Sequence, residues 1–126
     1  MSKVLIVDDS EVVRQLIKTE LEKHGVNTCL ASNGKDAFEI LLKEDISLIF
    51  LDIHMPKLDG IEFLDKIKDA GIKTPCVVVS NELDIDYTVE CKKLGAKGWL
   101  SKPIKKETLI KVYNKLVIED EQSSLF

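Results

Sequence analysis

Arginine is almost missing from this chain: Arg14 is the only one among 126 residues, and the other 17 of the 18 basic residues are lysines. Those lysines are scattered rather than striped, and the formal net charge is −4. That balance argues against a nucleic-acid surface, which needs a basic patch or stripe. Cysteine is scarce as well. Cys29, Cys76 and Cys91 are odd in number and widely spaced. They form no disulfide framework and no zinc pattern, and their apolar surroundings predict buried free thiols. Long apolar runs are missing too. None approaches the ~20 residues that cross a bilayer. Val4–Val7, just ahead of Asp8 and Asp9, is too short for the core of a signal peptide. A cytoplasmic protein with no membrane attachment is expected.

What is present suits one globular domain. Hydrophobic residues make up 44% and charged residues 32%, which excludes disorder and fibrous repeats. A domain of roughly 100–150 residues buries enough surface to fold without disulfides or a structural metal. No internal repeat, linker or second domain interrupts the chain.

Apolar runs alternate with amphipathic stretches. Val4–Val7 reads as a strand. Ser10–His24 carries Val12, Val13, Leu16, Ile17 and Leu21 at helical spacing, with Ser10 as N-cap and Gly25 as stop. Thr28–Ala31 is a short strand turned by Asn33-Gly34, and Lys35–Lys43 a second helix. Leu48–Leu51 has no polar break and should be buried on both faces. Met55–Gly60 reads as a loop and Ile61–Ala70 as a third helix. Cys76–Val79 is a strand, and Asp84–Leu94 a helix with a weak apolar face. Gly98–Ser101 is the fifth strand and Lys105–Val117 the last helix. Strand and helix alternate five times, which predicts a parallel sheet with helices on both faces.

Ligands in such sheets bind beyond the carboxyl ends of the strands. Asp8 and Asp9 follow the first strand and Asp52 the third. Ser80 follows the fourth strand, and Lys102 and Pro103 the fifth. Three carboxylates this close repel one another unless a cation intervenes. Oxygen-only donors favour a hard ion such as Mg²⁺, and a lysine and a hydroxyl suit phosphoryl oxygens. A carboxylate can itself be the nucleophile and become an aspartyl phosphate. The bland alternatives are helix capping for Asp8 and Asp9, a turn role for Asp52 and Ser80, and a solvated surface for Lys102.

Taken in order, Val4–Ser10, Leu51–Gly60, Val79-Ser80 and Ser101-Lys102-Pro103 resemble the marks of a response-regulator receiver domain, the CheY-like family of bacterial two-component signalling. The match runs from about Lys3 to Val117. The resemblance implies a doubly wound, flavodoxin-like α/β fold of five parallel strands in order 2-1-3-4-5 with five helices. It implies a receiver over residues 1–120 with a short tail at 121–126. Asp52 is then the phosphoacceptor. Asp9 and Asp52 bind Mg²⁺ directly with the backbone carbonyl of His54, and Asp8 acts through a metal-bound water. Lys102 pairs with a phosphoryl oxygen, and Pro103 follows a cis peptide bond. Ser80 bonds another phosphoryl oxygen, and Trp99 takes the switch-aromatic position. Asn81 stands where the family places a small residue, and Trp99 replaces the usual tyrosine or phenylalanine. His54 and Glu82 occupy positions that tune dephosphorylation in the family.

The expected function is a single-domain response regulator. A histidine kinase or phosphotransfer protein phosphorylates Asp52, and the face of the fourth helix, fifth strand and fifth helix changes its binding to a downstream protein. A chemotaxis-type regulator, a phosphorelay shuttle and a phosphate sink all fit, with a monomer expected before phosphorylation. Two alternatives stand beside it: a Mg²⁺-dependent phosphohydrolase using Asp52, and a receiver module of a larger regulator. Met1 abutting the first strand favours a natural start over the last. A flavodoxin-like cofactor protein fits poorly, because acids at the strand ends repel a flavin phosphate.

Overall fold

The apolar runs become the strands of one parallel sheet. The computed structural model describes residues 2–53, 59–81 and 85–119. In chain order these form β1 (Lys3–Val7), α1 (Glu11–Lys23), β2 (Thr28–Ala31), α2 (Gly34–Lys43), β3 (Ile46–Asp52) and α3 (Gly60–Asp69). There follow β4 (Cys76–Ser80), α4 (Ile85–Lys93), β5 (Gly98–Ser101) and α5 (Lys106–Tyr113), with a π-helical stretch over Asn114–Glu119. The strand order is β2-β1-β3-β4-β5, as the family resemblance implies. The chain steps from β1 outward to β2 and then crosses back to β3. The order therefore reverses between β1 and β3, and a cleft forms at their carboxyl ends.

Alternate residues of each strand feed two separate cores, because successive side chains point to opposite faces. Leu5, Val7, Ile49, Leu51 and Val78 pack under α2, α3 and α4. Val4, Ile6, Leu48, Phe50 and Val77 pack under α1 and α5. Leu48–Leu51 is buried on both faces, as its unbroken apolar character predicts. β1 and β3 pair with Val7 opposite Leu51, and β3 and β4 with Asp52 opposite Val79.

Several expected boundaries shift for physical reasons. Asn33-Gly34 is not a separate turn. Asn33 caps α2, its side chain accepting from the Asp36 N–H at 2.9 Å. Likewise Asp59 caps α3, accepting from the Glu62 N–H at 3.0 Å, and Gly60 is already helical. Asn and Asp favour turns and N-caps through the same short acceptor oxygen, so sequence alone does not separate the two. Ser10 caps α1 as expected, accepting from the Val13 N–H at 3.3 Å. The last helix is α-helical only to Tyr113 and continues with π turns that keep Leu116 buried. Cys76 and Cys91 are buried, but Cys29 is only half-buried, because it lies on the edge strand β2. The weak face of α4 is real: Cys91 is buried while Val89 is 46% exposed. Residues 1, 54–58, 82–84 and 120–126 lie outside the described residues. Among the described residues, no helix is long and apolar enough to cross a membrane.

Candidate functional site

Strand pairing brings five of the expected groups to one rim. Asp52 ends β3 and Ser80 ends β4. Asp8 and Asp9 follow β1, and Lys102 follows β5. The Lys102 N–H donates to the Ser80 carbonyl at 2.8 Å, one step beyond the last strand pair. The peptide bond from Lys102 to Pro103 is cis, as expected.

Carboxylate oxygens of Asp8, Asp9 and Asp52 lie within 4.8 Å of one another. Asp8 and Asp52 are buried and Asp9 is exposed, so the cluster opens to solvent on one side. The Lys102 ammonium sits 2.9 Å from Asp8 Oδ2 and 3.6 Å from Asp52 Oδ2. Burial opposes the charge on Lys102. The hydrogen bond it donates to Asp8 and the attraction of Asp52 and Asp8 outweigh it, and the ammonium is held above its ordinary range. One lysine thus neutralises part of a three-carboxylate cluster. Ser80 is 1% exposed beside it.

Asp8 is fixed from three directions. Its N–H donates to the Ala31 carbonyl at 3.1 Å, and its Oδ1 accepts from the Ser10 N–H at 2.9 Å. Its own carbonyl accepts from Arg14 Nη1 at 2.6 Å. The side chain therefore orders the entry to α1 through the Ser10 N–H and faces Lys102 at once, while the N-cap of α1 is Ser10 itself.

Arg14 and Gly60 are site-supporting residues that motif reading passes over. Arg14 could have been noticed as the lone guanidinium, one helical turn past the acidic pair. Gly60 sits where a Cβ would meet Ile53 Cα at 2.6 Å and the Asp52 carbonyl at 3.1 Å. Its N–H donates to the Ile53 carbonyl at 3.0 Å. Only a residue without a side chain lets α3 start this close to the end of β3. Trp99 is half-buried against the α3/α4 core, and its Nε1 is buried with no hydrogen-bond partner among the described residues. Asn81 is exposed next to Ser80. His54 and Glu82 lie outside the described residues.

The donor set suits a hard dication. Oxygen ligands, two of them buried and one open to water, match Mg²⁺, which binds through one or two carboxylates and keeps several waters. Asp8, Asp9 and Asp52 are the side chains that would hold it.

The fold and rim define a doubly wound α/β protein with an acid–lysine site at its topological switch point. A family model described as the response regulator receiver domain matches residues 4–114. The chain belongs to that family, the receivers of two-component signalling. It is 34% identical over 116 residues to Protein PilH of Pseudomonas aeruginosa, covering 90% of this chain and 96% of that protein. It is 36% identical over 114 residues to the osmosensing histidine protein kinase SLN1 of Saccharomyces cerevisiae, covering 85% of this chain but 9% of that one. Against the Regulator of RpoS of Escherichia coli the identity is 34%, with 82% of this chain and 31% of that protein covered. The chain thus spans less than two thirds of several curated relatives. The solved chemotaxis protein CheY4 of Vibrio cholerae superposes with a TM-score of 0.85 at 34% identity, covering 94% of this chain and 99% of that one.

Proposed function

We propose that this chain is a phosphorylation switch in which Asp52 is the phosphoacceptor. The observation that carries the reading is the Lys102 ammonium shared between Asp8 and Asp52, with Asp9 alongside, at the reversal of strand order. A histidine kinase or phosphotransfer protein supplies the phosphoryl group. An Asp52 carboxylate oxygen forms the O–P bond as the N–P bond of the phosphohistidine breaks, and the released imidazole takes up a proton. Mg²⁺, when bound, offsets the charge on the phosphoryl oxygens. Asp9 and Asp52 would hold it directly, with the His54 carbonyl by family resemblance, and Asp8 would act through a water.

The remaining residues do the switching. Lys102 leaves its carboxylate partners for a phosphoryl oxygen, which presents more negative charge. The Ser80 hydroxyl donates to a second phosphoryl oxygen. Both moves pull on β4 and β5, which carry Trp99 and border the loosely packed α4. The face of α4, β5 and α5 then binds a downstream protein differently. The match to PilH, which covers 96% of that protein, supports the reading of a stand-alone receiver. The relatives of which the chain spans a minority support the alternative, a receiver module of a larger regulator.

The test is intact mass after incubation with Mg²⁺ and a small acyl phosphate. A labile phosphoryl adduct is expected on the wild type, absent from Asp52→Asn and absent in chelator. An adduct of equal yield on Asp52→Asn would reject Asp52 as acceptor.

A further inference from the structure

At the end of the sheet opposite the acid–lysine site, α3 and α4 stop beside each other, with Lys68 Nζ donating to the Lys93 carbonyl at 3.4 Å. Both helices close in the same way. The Gly71 N–H donates to the Lys68 carbonyl at 3.0 Å, and the Ile72 N–H to the Ile67 carbonyl at 3.0 Å. In α4 the Gly95 N–H donates to the Lys92 carbonyl at 3.0 Å, and the Ala96 N–H to the Cys91 carbonyl at 2.9 Å. The Lys97 N–H then ties the second loop to the start of β4, donating to the Cys76 carbonyl at 2.8 Å. Two capped helix ends and a strand start therefore form firm walls.

Between them lies a cavity of about 270 Å³. Leu64, Ile67, Ile72 and Leu94 supply its apolar lining, and Ile72 and Leu94 keep part of their surface open. Lys68, Lys73, Lys93 and Lys97 surround it, and among the described residues no carboxylate lines it. That is an unusual concentration of one sign in a chain with 22 acidic residues to 18 basic ones. Helix dipoles account for Lys68 and Lys93, which lie in the last turns of α3 and α4. They do not account for Lys73 and Lys97, which stand in the loops before β4 and β5.

Size and charge together select the occupant. The volume falls just under the ~300–1,000 Å³ of typical small-ligand pockets and holds one large side chain. The four lysines come from four different segments around the cavity, which favours a ligand carrying several carboxylates. We propose that this cavity docks an acidic peptide segment of a partner protein, with one large apolar side chain in the cavity and carboxylates along the lysine rim. Docking there needs no phosphoryl group on Asp52, so the unphosphorylated protein is the material to test.

The probe is a fluorescein-labelled nonapeptide with four acidic residues on each side of a central phenylalanine. It is titrated with the full chain by anisotropy and by amide chemical shifts. Saturable binding is expected, weakened by added salt because the attraction is between exposed charges. Shifts should gather at Lys73, Thr74, Leu94 and Lys97. A peptide with alanine at the centre should bind about tenfold more weakly, since the burial of one large side chain is lost. The double charge reversal Lys68→Glu with Lys73→Glu should lose about tenfold or more. If that variant fails to fold, Lys68→Gln with Lys73→Gln replaces it, with a loss of about threefold expected. The proposal is overturned if no binding is seen, or if the alanine peptide binds equally, which would leave only a solvated lysine face. Shifts gathered at Lys102 would overturn it as well. So would a tenfold gain on removing residues 120–126, which would make this chain's own end the occupant.

Discussion

Removing one charge from the acidic cluster should stabilise the metal-free protein, and Asp9→Asn is the cleanest way to do it. Oxygens of Asp8, Asp9 and Asp52 lie within 4.8 Å of one another. At that separation two unit charges repel by about 3 kcal/mol at an effective dielectric of ~20. Asp9 is exposed, and water screens its two repulsions to about 1 kcal/mol each or less. Lys102 pairs with Asp8 and Asp52, so replacing Asp9 leaves both of those ion pairs in place. The net expectation is a gain of about 1–2 kcal/mol. For a domain of this size that raises the melting temperature by about 3–8 °C. Urea and thermal melts in chelator, wild type beside Asp9→Asn, measure it. Adding Mg²⁺ should close or invert the gap, because a ligand at 100 times its Kd stabilises the protein that binds it by about 2.7 kcal/mol. If Asp9→Asn is less stable than wild type in chelator, the carboxylates do not repel as described, and Asp9 makes a contact worth more than its charge costs.

Four other outcomes rest on contacts elsewhere in the protein. Gly60→Ala must push a Cβ against the Ile53 and Asp52 backbone, so it should cost about 1–3 kcal/mol in a urea melt and slow Asp52 phosphorylation; unchanged stability and rate would show that α3 can simply move away. Glu20 is buried with one oxygen lacking a hydrogen-bond partner among the described residues, and its Lys23 contact is 3.5 Å long; Glu20→Met should therefore raise stability by about 1 kcal/mol or more, read as a higher urea midpoint. Burial pushes the Cys91 thiol up to about 12 and Cys76 higher still, so a thiol reagent at neutral pH should label Cys29 alone in the folded protein and all three in urea, as mass spectrometry would count. Lys102 is raised above its ordinary 10.5. Its stabilisation is complete below that value and fades as pH climbs through the folded one, so the stability gap to Lys102→Met should stay flat from about pH 6 to 9 and narrow only in stronger alkali.

The fold was readable because each buried strand is a short apolar run and each helix has a distinct period. Thr28–Ala31 and Gly98–Ser101 appear at the expected residues. Asp8, Asp9, Asp52, Ser80 and Lys102 were readable as a group because parallel strands deliver whatever follows them to one rim. Strand order was not readable from alternation and came only with the family resemblance. Helix starts at Asn33 and Asp59 were misplaced because caps and turns use the same residues. The half-exposure of Cys29 depends on which strand lies at the edge, a property of the assembled sheet. Arg14 and Gly60 escaped because their work is done through backbone atoms: one holds the Asp8 carbonyl and the other makes room beside Ile53. The Gly60 contact has no periodic or compositional trace, and the only trace of the Arg14 contact is that the chain has a single guanidinium.

The lone arginine also has a practical side. Since Arg14 is the only guanidinium in the chain, a vicinal-dicarbonyl reagent has one arginine target, and that target is anchored to the backbone of a site residue. Its modification rate, followed by mass, is therefore a readout of how tightly the first-strand side of the cleft is held. Occupants of the acidic cluster that tighten Asp8 should protect Arg14, and unfolding should release it. The protein carries its own reporter, with no engineered probe near the chemistry.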